Sequence, residues 1–190
     1  MSEAADTREA IMEATFEALV AHGYADLTIQ TIADEFEKSK SLLYYHYDTK
    51  EDLLVDLLRY VTDGFAGEVE PLPDGDPEAH LTGILDLLVP RDLAAEDRGR
   101  RTALLELRAQ APYHEAYAER FTALDAELEA RFEAVLERGV EAGVFDVDPS
   151  MGAHLLTTMA NGEMLRIVTG GTDPERARDA IDTVVDGFSV

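Results

Sequence analysis

Apolar side chains return every three or four positions along most of the chain, and no segment alternates strictly. That is the period of helices, not of strands. Residues 7 to 22 carry Ile11, Thr15, Ala18 and Leu19 on one stripe, with Asp6 and Glu9 at capping-box spacing. Gly23 stands where a helix end needs left-handed backbone, and Tyr24 can fold back on that end. Thr28 opens a short helix with Ile29, Ile32, Ala33 and Phe36 on one face. Glu37-Lys38 interrupts, Ser39 caps a second short helix from Lys40 to His46, and Thr49 with Asp52 caps a third helix beginning near Lys50.

The helix from Lys50 holds Leu53, Leu54, Leu57, Leu58, Val61 and Phe65 on one face, long enough to link two domains. The proline-rich stretch from Pro71 to Pro77 predicts a loop. Helices follow over Ala79 to Val89, Ala95 to Ala111 and Tyr113 to Gly143, then one opened by Pro149 and one by Pro174. The last two are apolar on more than one face. A terminal helix pair has one face to spare, so a two-fold homodimer through a four-helix interface is expected, against the alternative of deep burial within one domain.

The stretch from Thr28 to Leu53 has the layout of a helix-turn-helix: a short, poorly buried helix held by a helix on each side. In that motif the second helix enters the DNA major groove. The expected fold is therefore all-α. A three-helix helix-turn-helix head over residues 1–50 precedes a helical bundle over residues 51–190 for effector binding and dimerisation.

Charge complicates a nucleic-acid partner. The chain has 40 acidic and 16 basic residues, net −24. Up to residue 60 there are 13 acidic and 5 basic residues, so even the proposed head is acidic. Yet the three lysines of the chain, Lys38, Lys40 and Lys50, all fall in the helix-turn-helix, and every other basic residue is arginine. Phosphate contact accounts for that clustering, against a null of three ordinary surface lysines. The excess of carboxylates then reads as adaptation to a halophile's salty cytoplasm, in competition with a protein that merely avoids DNA. Cysteine is absent, which excludes disulfides and thiolate metal sites. No apolar run approaches the roughly 20 residues of a membrane span, and the acidic start MSEAADTREA is no signal peptide. A cytoplasmic protein without cofactor or membrane association is expected.

Residues 8 to 54 resemble the TetR family of transcriptional regulators, through Ile11, Gly23-Tyr24, Thr28-Ile29, Ile32-Ala33, Ser39, Leu43-Tyr44, Tyr47, Lys50 and Leu53. The resemblance covers about a quarter of the chain. It implies a dimer with an N-terminal DNA-binding head and a C-terminal domain that binds a small molecule, and thus a repressor on a palindromic operator, released by its effector. Three positions depart from the family pattern. Glu37-Lys38 replaces a usual Gly-Val, Ser41 stands where glycine is common, and Leu19 where phenylalanine is frequent. Glutamate in a left-handed turn costs on the order of 1 kcal/mol, so a turn of different shape is expected.

Within the head, Thr28 and Lys50 are candidate phosphate contacts from two helix starts, with simple capping as the bland role of Thr28. Lys38 joins them through its charge. Lys40, Ser41 and Tyr45 are the candidate base readers. Leu42 serves equally well as a thymine-methyl contact or as core. Tyr44 and His46 suit phosphate, and Leu43 and Tyr47 suit the core. Arg108, Tyr113, His114, Tyr117, His154 and Asn161 are polar or aromatic residues in apolar helical surroundings, a candidate small-molecule effector pocket; taken singly each also has a plain structural role. A ligand that favours one tilt of the Lys50 helix would alter the spacing of two heads on half-sites one DNA turn apart.

An enzyme is not expected: there is no Gly-rich phosphate loop, no G-x-S-x-G and no H-E-x-x-H. The rival class is a helical dimer that binds a protein partner and no longer binds DNA.

Overall fold

The computed structural model describes residues 3–36, 40–68 and 75–190. Among them lie nine α-helices: α1 (Glu3–Asp26), α2 (Ile29–Glu35), α3 (Lys40–His46), α4 (Lys50–Glu68), α5 (Pro77–Leu88), α6 (Ala95–Gln110), α7 (Glu115–Glu141), α8 (Pro149–Val168) and α9 (Pro174–Asp186), with a 3-10 turn at Ala111–Tyr113. No helix among the described residues is long and apolar enough to cross a membrane. The turn residues Glu37, Lys38 and Ser39 and most of the proline-rich loop lie outside the described residues.

The chain divides into two compact units. The first comprises Met1–Glu68 and Gly99–Phe121, and the second Val69–Arg98 and Thr122–Val190. In the first, α1 packs on α2 and α4, and α2 on α3. Its core is the stripe set by the helical period: Ile11, Met12, Leu19, Ile32, Leu43, Leu53, Leu54, Leu57 and Leu58 are all buried. The first helix starts at Glu3, ahead of the expected residue 7, so Asp6 lies inside the helix and does not cap it. It turns at Gly23, whose φ of 69° lies in the left-handed region. Thr28 and Thr31 make a capping box at α2: the Thr28 hydroxyl accepts the Thr31 N–H at 3.1 Å, and the Thr31 hydroxyl accepts the Thr28 N–H at 2.9 Å. Thr49 accepts the Asp52 N–H at 3.1 Å at the start of α4.

In the second unit, α8 packs on α5 and α9. Three helices there begin alike, with Pro77, Pro149 and Pro174 in the first turn and Asp76, Asp148 and Asp173 as caps. Proline supplies the helical φ where its missing N–H is no loss, and aspartate accepts a free amide. This is why α5 begins at Pro77, two residues before the expected Ala79. The close approach of Gly139 on α7 to Phe145 is obligatory, since a Cβ there would lie 2.1 Å from the ring. Two polar groups are locked inside this unit. Arg178 is buried, its Nη1 donating to Asp86 at 2.5 Å and its Nε to Asp182 at 2.7 Å. His80 is also buried and faces Arg138, with Nδ1 2.6 Å from Nη2. Burial and then the Arg138 charge lower the His80 pKa, keeping the imidazole neutral.

Candidate nucleic-acid interface

The short helix α3 is anchored from its inner side and exposed on its outer one. Leu43 is fully buried and Leu42 half-buried, whereas Ser41, Tyr44, Tyr45 and His46 are exposed, Tyr45 by 83%. An exposed tyrosine pair next to a histidine, on a helix too short to be stable alone, offers hydrogen-bonding rings to an outside partner. Tyr45 and His46 meet edge to face with centroids 5.3 Å apart. Lys40 is the first residue of α3, and Lys38 lies outside the described residues.

A carboxylate just behind α3 sets its orientation. Tyr47 follows the helix, and its hydroxyl donates to Asp56 Oδ2 at 2.5 Å. Arg8 from α1 grips the same carboxylate in a bidentate pair, at 3.1 Å through Nε and 2.8 Å through Nη2. Arg8, 48 positions away, and Tyr47, nine away, thus meet at the one Asp56 side chain. The Arg8 hydrogen bond above all lowers the Asp56 pKa, and burial first, then Asp56, raises that of Tyr47. Charge and proton therefore stay where the triad needs them. Neither Arg8 nor Asp56 is evident from local patterns, because the contact joins α1 to α4.

The other DNA-facing candidates are both engaged within the protein. The Thr28 hydroxyl serves the capping box. Lys50 is half-buried, its ammonium donating to the Tyr24 carbonyl at 3.2 Å. Around them Asp34, Glu35, Asp48, Glu51 and Asp52 are exposed carboxylates, which keep this surface acidic.

The effector candidates fall in both units. In the first, the Arg108 guanidinium lies 4.6 Å from the Phe121 ring centroid, Tyr113 is exposed, and the His114 ring is 4.9 Å from that of buried Tyr117. Burial, with Tyr24 and Glu51 adding to it, raises the Tyr117 pKa, so its hydroxyl keeps its proton. In the second unit, His154 and Asn161 are exposed on α8, His154 Nδ1 3.3 Å from Glu129 and Asn161 Nδ2 3.3 Å from Asp125. They share that outward side with Met151, Leu155 and Leu165, exposed by 65%, 39% and 45%.

Comparison with known proteins accords with this arrangement. Residues 11–57 match the model for bacterial regulatory proteins of the tetR family. Residues 77–189 match that for the C-terminal part of BetI-type transcriptional repressors. No curated protein matches the chain significantly. Among solved structures, a TetR transcription regulator from Haloarcula marismortui is 40% identical, with a TM-score of 0.88 over 98% of this chain and 100% of its own. A TetR-family regulator from Rhodococcus sp. is 25% identical, with a TM-score of 0.81 over 96% of this chain and 98% of its own. A transcriptional regulator from Saccharomonospora viridis, solved in complex with choline, shares the fold at 21% identity, with a TM-score of 0.84 over 96% of both chains. The helix-turn-helix, the helical remainder, and a 40% identical relative matched over nearly the whole chain together establish that this chain belongs to the TetR family of transcriptional regulators.

Proposed function

We propose that the chain is a ligand-responsive repressor that binds a palindromic operator as a homodimer and is released by a small molecule. The observation that carries it is α3: a seven-residue helix with exposed Ser41, Tyr44, Tyr45 and His46, backed by buried Leu43 and followed by the Tyr47–Asp56–Arg8 triad. Such a helix has no structural need of exposed tyrosines, and a groove of DNA supplies one. Lys40, Ser41 and Tyr45 read base edges, with Leu42 at a thymine methyl or in the core. Thr28, Lys38, Tyr44, His46 and Lys50 hold phosphates.

The homodimer forms through α8 and α9. Support comes from Met151, Leu155 and Leu165 exposed along one side of α8, apolar area that pairing removes from water. The head spans residues 1–50 and the effector and dimerisation domain 51–190. Its effector group centres on Arg108, His114 and Tyr117, beside buried Phe121 and Leu107, with Tyr113 exposed at the edge. His154 and Asn161, exposed on α8, are the weaker members of that group and suit the dimer face as well.

The test is binding to the DNA immediately upstream of the gene, in molar KCl, by the native chain and by Lys40→Ala/Tyr45→Ala. Sequence-specific binding lost in the variant is the expected result. Absence of specific binding at every salt concentration overturns the proposal in favour of a dimeric module for a protein partner. Salt itself is diagnostic. Ordinary DNA binders release counterions and weaken steeply as salt rises. With exposed carboxylates around α3, cations must be taken up between protein and phosphate, so affinity should stay flat or rise toward molar KCl. A steep fall from strong low-salt binding refutes the adaptation to salt.

A further inference from the structure

Tyr24, in α1 just after the turn at Gly23, is held at four points by three residues distant in sequence. Its N–H donates to Glu106 Oε2 of α6 at 2.7 Å. Its carbonyl accepts from Lys50 Nζ at 3.2 Å, and the same ammonium sits 4.4 Å from the centroid of its ring. Its hydroxyl lies 3.3 Å from His114 Nε2. The preceding Gly23 makes the first contact possible, because a Cβ there would come within 3.2 Å of the same Glu106 oxygen, in a backbone conformation that side chains rarely adopt. Behind the cluster stands Tyr117, 1% exposed, its hydroxyl beside that of Tyr24. All these residues belong to the first compact unit.

A tyrosine that only filled space would need neither the His114 contact nor the ammonium over its ring. Lys50 opens α4, where the functional proposal above gives its ammonium a DNA phosphate. An ammonium has three donors and no fixed plane, so its direction is set by what surrounds it. Here Tyr24 offers it both a carbonyl and a ring face. Glu106 and His114 in turn fix Tyr24. At the other end of the side chain, the Tyr24 hydroxyl meets His114 and lies by buried Tyr117.

We propose that Tyr24 is the positioning residue for Lys50, and that Glu106, His114 and Tyr117, acting through Tyr24, decide whether the Lys50 ammonium is presented to a DNA phosphate. This rests on the function proposed above and adds its internal lever. An effector that offers the Tyr117 hydroxyl an acceptor, or pushes on His114, alters DNA affinity without touching the head. Glu106 and Tyr24 become control residues although neither meets DNA or ligand.

The chain's three lysines make the test direct. Reductive methylation with 13C-formaldehyde keeps the positive charge and gives one dimethyl signal each for Lys38, Lys40 and Lys50, beside the N-terminal amine. Lys50→Arg assigns the third. The expected result is a Lys50 signal shifted upfield by the Tyr24 ring in the full native chain. It should move toward the other two in Glu106→Gln and in Tyr24→Phe, which keeps the ring and the carbonyl but not the His114 contact. Circular dichroism verifies that both variants are folded. A Lys50 signal that coincides with Lys38 and Lys40 in the native chain, or that ignores both substitutions, overturns the proposal.

Binding to the upstream DNA supplies the second readout. Lys50→Ala should change the slope of log affinity against log salt by about 1, one phosphate contact. Tyr24→Phe should alter affinity in the native background and leave the Lys50→Ala background unchanged. An equal effect in both backgrounds refutes the action through Lys50. A native chain with no specific binding refutes instead the functional proposal, whatever the lysine signals do.

Discussion

Two arginine–carboxylate networks, one in each compact unit, are wired in opposite senses. In the first unit the hub is a carboxylate: half-buried Asp56 receives Arg8 and Tyr47, and both donors reach toward solvent or the edge of the core. In the second unit the hub is the cation. Arg178 is 3% exposed and bonds Asp86, which is 61% exposed, and Asp182, which also holds Arg91. The partner that is hidden from water determines what a broken pair costs, because an exposed survivor is rehydrated and a buried one is not. The same chemistry therefore gives a hub that steers a functional helix in one place and a latch between α5 and α9 in the other.

The sharpest way to break the comparison is to strip the buried cation of its partners. Asp86→Ala with Asp182→Ala leaves Arg178 uncompensated and should cost about 3 kcal/mol in denaturant unfolding. Removing the first hub, by Asp56→Ala, leaves the more exposed Arg8 and should cost less, about 2 kcal/mol, from the lost charged hydrogen bonds. That variant should also lose specific DNA binding, since Tyr47 no longer fixes the end of α3; retained binding would show that Leu43 alone suffices. Arg178→Met, which removes the buried charge and keeps its aliphatic length, should cost under about 1 kcal/mol. A cost as large as that of the double carboxylate variant would mean that the cation, not its solvation, stabilises the unit.

Acid sharpens the contrast further. Asp56 has a folded pKa below the ordinary 3.8, so its contribution is complete above that value and lost as pH falls through the lower folded one. His80 acts in a milder range. Its folded pKa lies below the ordinary 6.5, so the unfolded chain takes up the proton first, and stability declines as pH falls from 6.5 through the folded value. His80→Asn, which retains an acceptor for Arg138, should flatten that decline while leaving the Asp56 limb intact. Stability curves against pH for the two proteins check it, and identical slopes would remove His80 from the account.

Much of this was present in local pattern. The helical period located every described helix, with starts displaced by a few residues where a cap or proline acted. Gly23 and the Thr28 and Thr49 caps were apparent because a left-handed glycine and a capping hydroxyl act within four residues. The exposed side of α3 was equally apparent, because its few apolar positions leave the rest outside. Arg8, Asp56 and Glu106 were not. Their importance lies in partners 48 and 82 positions away, and nothing in a charged residue's neighbours along the chain says which distant group it will meet.

His154 and Asn161 show the same limit from the other side. A polar residue in an apolar helix has one sequence appearance whether it lines an interior or faces out, and α8 is apolar on both sides. The composition of the chain thus decided by itself that it is all-α, that it carries a helix-turn-helix with its lysines gathered there, and that it is strongly acidic. These follow from side-chain period, backbone preference and formal charge, which need no tertiary context. Only the folded structure decided which carboxylate holds α3, which tyrosine receives the Lys50 ammonium, and which charged groups are buried. Those are matters of distance and solvation, and both come into existence only when the helices pack.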